Sequence, residues 1–132
     1  MRPAKVSLAV GVIAALAVAP GLSTAEGQCG GSWVRIGTTI VTVGDNPSWP
    51  FHLAIGTCNA GSCTYTDKDG DTWTDVSSYG TDGRTGKWRT VSGTGKYQNS
   101  TSTGWTRIVR TDPGPDGMVW VGSWGGTCSV VE

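Results

Sequence analysis

Beyond residue 25, no ten-residue window of this chain carries an apolar period of 3.6 residues, so no segment there is patterned to bury one face of a helix. Thr, Val, Ile and Trp instead fall in short runs, separated by Gly, Asn, Asp and Pro, which is the pattern of an all-β protein. The runs predict eight strands, near 33–43, 50–58, 62–67, 71–78, 84–92, 103–111, 117–124 and 126–131. In the seventh, Met118, Trp120 and Trp124 share one face and Val119 and Val121 the other. Both faces are partly apolar, so this strand is expected between two packed layers. Glycine is spread through the chain rather than gathered in a linker, which suits the turns and bends of a closed or sharply curled sheet.

The first twenty-five residues read as an address. Arg2 and Lys5 precede the uncharged run Val6–Ala19, Pro20-Gly21 breaks it, and Ser23 and Ala25 are small residues at the −3 and −1 positions of a cleavage site. The run is short for a membrane span, which needs about 20 residues. The expectation is a signal peptide over 1–25 and a single β domain over 26–132, secreted to an extracellular or periplasmic space, with no membrane contact after cleavage. That segment keeps 8 basic and 10 acidic side chains, a balance that argues against a nucleic-acid partner.

Export permits disulfides. Cys58-Asn-Ala-Gly-Ser-Cys63 encloses a run of turn formers, and a hairpin there would set the two cysteines opposite each other. Cys29 and Cys128 lie near the two ends of the mature segment. The preferred pairing is Cys29–Cys128 with Cys58–Cys63. A four-thiolate zinc site would need paired knuckles that this spacing lacks, and no metal or cofactor is expected.

Three carboxylates alternate in Asp67-Lys68-Asp69-Gly70-Asp71, the spacing of a calcium loop, but Thr72 stands where such a loop needs glycine and Ser78 where it needs glutamate. A hairpin turn with Gly70 at positive φ is the expectation. Lys87-Trp88-Arg89 and Trp105-Thr106-Arg107 interleave cations with indoles, yet strand alternation sends Trp88 away from Lys87 and Arg89. His52 reads as a structural histidine. Asn99-Ser100-Thr101 fits the glycosylation pattern, which acts only in a host that uses it. No nucleophile elbow, HExxH or P-loop is present. Asp67, Asp69, Asp71, Asp75, Asp82, Asp112 and Asp116 all fall in or near expected turns, so no catalytic residue is assigned.

One segment is more specific. Thr90-Val91-Ser92-Gly93-Thr94-Gly95-Lys96-Tyr97 resembles the V-x-G-G-T-G-K-F signature of the allene oxide cyclase-like barrels, which include dirigent proteins. Residues 64–71, 86–97 and 120–124 are similar to segments of small secreted bacterial proteins of unknown function within that group. The resemblance implies a single antiparallel barrel of eight strands with an interior cavity. A disulfide-tied β-sandwich is the alternative. Ser92 replaces the first glycine of the signature, Gln98-Asn99 replaces the small residues usual after the aromatic, and no position matches the cyclase's catalytic acid. No activity therefore carries over. In the signature itself, Gly93 and Gly95 would let the chain turn, and Tyr97 would fold back as an apolar plug with a polar tip.

Three functions follow. The first is a secreted, non-enzymatic binding module for a small apolar or aromatic ligand. The second is a cyclase- or dirigent-like enzyme that steers a reactive intermediate, which a buried acid beside a polar partner in the cavity would favour. The third is an extracellular inhibitor or interaction protein. Gly122 interrupts the Trp120/Trp124 row and would leave a slot for a flat molecule. Trp120 and Trp124 are thus the first site candidates, with Trp105 and Tyr97 weaker ones.

Overall fold

The computed structural model describes residues 24–131. Eight strands follow one another: β1 (Thr24–Ile36), β2 (Thr39–Gly44), β3 (Leu53–Asn59), β4 (Ser62–Asp67), β5 (Thr72–Tyr79), β6 (Thr85–Gly93), β7 (Thr103–Gly114) and β8 (Gly117–Val131). A 3₁₀ turn, Gly95–Tyr97, joins β6 to β7. Each strand pairs antiparallel with the next, and β8 pairs with β1 from Thr24↔Val131 to Ile36↔Val119. The sheet is therefore a closed barrel and not a sandwich. The expected leader falls mostly on residues 1–23, outside the described residues; Thr24 and Ala25, its last two, pair with Val131 and Val130.

Two strand boundaries differ from the sequence reading in compensating ways. The run 33–43 is a hairpin, broken where Gly37 takes φ 59°. Its β-branched residues continue on both sides of the turn, so alternation alone did not reveal the break. Conversely, 117–124 and 126–131 are one strand. Gly125 and Gly126 do not turn; they lie opposite Gly30 and Cys29 of β1 and opposite Trp105 and Gly104 of β7. Nor does β8 sit between two layers. Val119 and Val121 point outward and are half-covered by their neighbours in the same sheet, Ile36 and Val34.

Alternation sorts the rest. Along β3, Ala54 and Cys58 are buried while Leu53, Ile55 and Thr57 are exposed. An eight-stranded barrel has room inside for side chains or one small ligand. This one is filled from one end by Phe51, Tyr65, Trp73 and Tyr97, whose rings meet at centroid distances of 4.6–4.8 Å. Both expected disulfides are present. Cys58 and Cys63 are a register pair of the β3–β4 hairpin, turned by Ala60 and Gly61 at positive φ. Cys29–Cys128 crosses the closing β1–β8 seam.

Candidate functional site

The barrel interior is stopped at one end and open at the other. The stopper grows out of the signature segment. Gly95 has φ 55°, and a Cβ there would land on the Asp71 carboxylate, so only glycine lets the chain pass so close. The next two residues then fold back. Tyr97 is 1% exposed; its hydroxyl donates to Asp67 Oδ2 at 2.7 Å and accepts from the Phe51 N–H at 3.3 Å. Lys96 Nζ lies 2.6 Å from Asp67, 2.8 Å from Asp71 and 3.3 Å from Asp69. The acid turn is thus a hairpin turn, with Gly70 at φ 85° as expected, and its carboxylates converge on a lysine ammonium. Burial alone would raise the Asp67 carboxyl, but hydrogen bonds from Lys96 and Tyr97 outweigh it and hold it below the usual carboxylate range. Burial and the hydrogen bond to Asp67 both push the Tyr97 hydroxyl up, so it stays a donor. His52 is structural, its Nδ1 donating to the Gly44 carbonyl at 2.9 Å.

Above the stopper lies a cavity of about 100 Å³, lined toward its open end by the exposed Gly61 and Tyr79. Four of the seven tryptophans line it: Trp33, Trp73, Trp88 and Trp124. Their ring nitrogens are largely spoken for. Trp33 donates to Thr106 Oγ1 and Trp88 to the Trp105 carbonyl, each at 3.0 Å.

One acid reaches this apolar space. Asp75 follows Trp73 by two residues on β5, so both point inward. Thr90 donates its hydroxyl to Asp75 Oδ1 at 2.8 Å, and Trp73 its ring N–H to Oδ2 at 3.3 Å. Burial raises the Asp75 carboxyl to about 6, and the two hydrogen bonds only partly pull it back. Tyr65, stacked on Trp73, is pushed up by burial and then by the Asp75 charge. The cavity therefore holds a proton donor that stays protonated and a carboxyl that exchanges its proton near neutrality, the environment general acid–base chemistry uses. The sequence reading placed Asp75 near a turn and missed it. Its spacing of two from Trp73 was the available signal.

The Asp75 shift has a stability consequence. A native carboxyl raised above its unfolded value binds its proton more tightly when folded, so its contribution is favourable in acid and is lost as pH rises from about 4 through about 6. Asp75→Asn keeps both hydrogen-bond positions with the amide turned to accept from Trp73 and donate to Thr90. It should be more stable than the parent at pH 8, by about 2 kcal/mol, and no more stable at pH 4. Urea unfolding at the two pH values measures this; an unchanged difference between them would contradict the burial of a titrating Asp75.

The four candidates from the sequence are not brought together. Trp124 lines the cavity and meets Trp88 edge-on at 5.9 Å. Trp120 sits behind the cavity-lining Arg35, whose guanidinium carbon is 5.7 Å from its ring centroid. The slot expected at Gly122 is occupied by the Trp33 indole, which a Cβ at that position would strike. Tyr97 belongs to the stopper. Trp105 lies outside the barrel, 46% exposed, over the Gly125 backbone. Sequence reasoning missed Trp33, Trp73, Trp88 and Tyr65. Alternation gives their common phase, but only strand register shows that they converge.

No protein-family model matches the chain, and no curated protein matches it. Among solved structures, the fold is similar to that of a pterocarpan synthase dirigent protein, with a TM-score of 0.51 and 8% identity, over 89% of this chain and 100% of that one. The likeness is one of fold, a dirigent-like eight-stranded barrel, which is the architecture expected above.

Proposed function

We propose that the barrel receives one small, flat, largely apolar molecule at its open end and exchanges a proton with it through Asp75, so that it steers a reactive intermediate rather than only storing a ligand. Asp75 is the observation that carries this reading: a carboxyl poised near neutrality, on an apolar wall beside two hydrogen-bond donors. A passive apolar container gains nothing from a buried carboxyl, whose desolvation costs free energy. The indoles supply rigid flat walls, Asp75 accepts or returns the proton, and Arg35 at the open side offers charge to a polar group that stays outside the cavity. Pterocarpan synthesis belongs to the neighbour in fold. For this chain the proposal is proton-coupled cyclisation or coupling in general, with non-enzymatic holding of the same ligand as the alternative. Two disulfides fit work in an oxidising, extracellular or periplasmic space after removal of the leader.

The test is titration of intrinsic fluorescence with pairs of flat aromatic compounds that differ only in carrying an ionisable hydroxyl. The hydroxylated member should bind about tenfold more tightly, with a pH midpoint near 6, and Asp75→Asn should erase the preference. A preference that survives in Asp75→Asn removes Asp75 from the site. No response to any compound removes the ligand reading altogether.

A further inference from the structure

The outer wall of the barrel carries a second chemistry, unrelated to the cavity. In the β6–β7 ladder, Lys87 lies directly opposite Trp105, Thr85 opposite Arg107, and Arg89 opposite Thr103. All of these side chains point outward, and Trp105 is 46% exposed. The Cβ of Trp105 thus has that of Lys87 across the ladder, about 5 Å away, and that of Arg107 two residues along its own strand, about 7 Å away, with Arg89 on the diagonal, while the indole itself leans over Gly125 of β8. In the run Lys87-Trp88-Arg89 the indole points away from its neighbouring cations; the register of β6 with β7 adds Lys87 and Arg89 to the Arg107 already on the face of Trp105. Lys87, Arg89 and Arg107 form no ion pair among the described residues. The outward positions of β5 beside them are Thr74, Val76 and Ser78, so no carboxylate on that strand neutralises the face. This is notable in a chain whose acids otherwise match its bases in number.

We infer that this face is a docking surface for an acidic polysaccharide, a chain of uronate sugars. The indole offers a flat apolar platform for the C–H face of one sugar ring, and the flanking cations meet carboxylates on that ring and its neighbours. Three observations favour a glycan over the other common polyanion, single-stranded nucleic acid. Platforms for nucleic acid stack successive bases on several aromatic rings, whereas the outward positions of β6 and β7 supply one. The two disulfides fit an oxidising space outside the cytosol, where acidic polysaccharides are available as partners. The cations sit on rigid strands rather than on flexible arms, which suits a stiff polymer.

The experiment is calorimetric titration of the protein with oligogalacturonate, with a neutral gluco-oligosaccharide and oligothymidylate of matched length as comparisons. Oligogalacturonate should bind, and its affinity should fall steeply with added salt. Trp105→Ala should weaken it about tenfold, and Lys87→Gln with Arg107→Gln by a similar factor, while the salt dependence flattens only in the charge variant. Far-ultraviolet circular dichroism and cavity binding should be unchanged in both variants, which separates this surface from the interior. Equal binding of the neutral sugar, tighter binding of oligothymidylate, or no loss in either variant would overturn the assignment.

Discussion

Replacing Cys29 and Cys128 together by alanine is expected to lower the unfolding free energy by about 4–5 kcal/mol, against about 2 kcal/mol for the Cys58/Cys63 pair. The difference comes from the loops each bridge closes. Cys29–Cys128 spans 99 residues and Cys58–Cys63 spans 5. Loop-closure entropy in the unfolded chain grows with the logarithm of loop length, so the long bridge removes more of it. Position reinforces length. Every other seam joins strands consecutive in the chain, whereas β1 and β8 have no connection to hold them and must meet across the whole fold. Cys128 and Cys58 are both fully buried, so emptied core volume adds to each loss and does not set their order. Urea unfolding of the two double variants decides the order. Equal losses, or a greater loss for Cys58/Cys63, would show that the seam is held by its backbone ladder alone.

The second large effect is expected for Lys96→Met. Methionine fills the stem of lysine and removes the charge, leaving the Asp67, Asp69 and Asp71 carboxylates facing one another. The Asp67 side chain is only 9% exposed, so its uncompensated charge is costly, whereas Asp69, at 53%, contributes little. A loss of about 2 kcal/mol at pH 7 is expected, less than for a fully buried pair because Lys96 itself is 25% exposed. The pH dependence fixes the cause. Asp67 is held below its unfolded value in the parent, so its contribution is present above about pH 4 and is lost as pH falls through the folded value. The gap between parent and variant should therefore be widest at neutral pH and close in acid. Calcium gives an independent reading. Millimolar calcium should raise the melting temperature of the variant, whose three carboxylates have lost their cation, and move that of the parent by no more than a few degrees. An equal calcium shift in both proteins, or a gap as wide at pH 3 as at pH 7, would contradict the ammonium's role.

The sequence carried the outline of this fold because the outline depends on local rules. Alternation gave all-β, and the spacing of turn formers gave eight strands, one split and one merger cancelling. The cysteines gave both bridges because one pair flanks a hairpin and the other flanks the domain. The plugging role of Tyr97 followed from the glycines around it. What was not legible depends on register. Gly122 reads as a missing side chain, and therefore as a slot, until β1 is set beside β8 and Trp33 is found in the space. Asp75 reads as a turn acid until β5 closes against β6 and brings Thr90 to it. Trp105 reads as a cavity candidate until its strand's phase places it outside. In each case the deciding neighbour lies on another strand, at a sequence distance that composition and periodicity do not encode.

The ladder of β1 with β8 makes the eight strands a ring in the topological sense: from Thr24 round to Val131 every strand has the same two kinds of neighbour, and the ring itself has no first member. Which connection is left uncut is then a property of the gene, not of the barrel. With Thr24 directly opposite Val131, a short linker of a few glycines joins them, and the chain can be reopened at the exposed turn after β5, where Thr81 to Arg84 bury nothing. In that circular permutant the Cys29–Cys128 bridge becomes a local cross-link between consecutive strands. The nonlocal seam, with its entropic burden, moves to β5 and β6, beside Asp75 and Thr90.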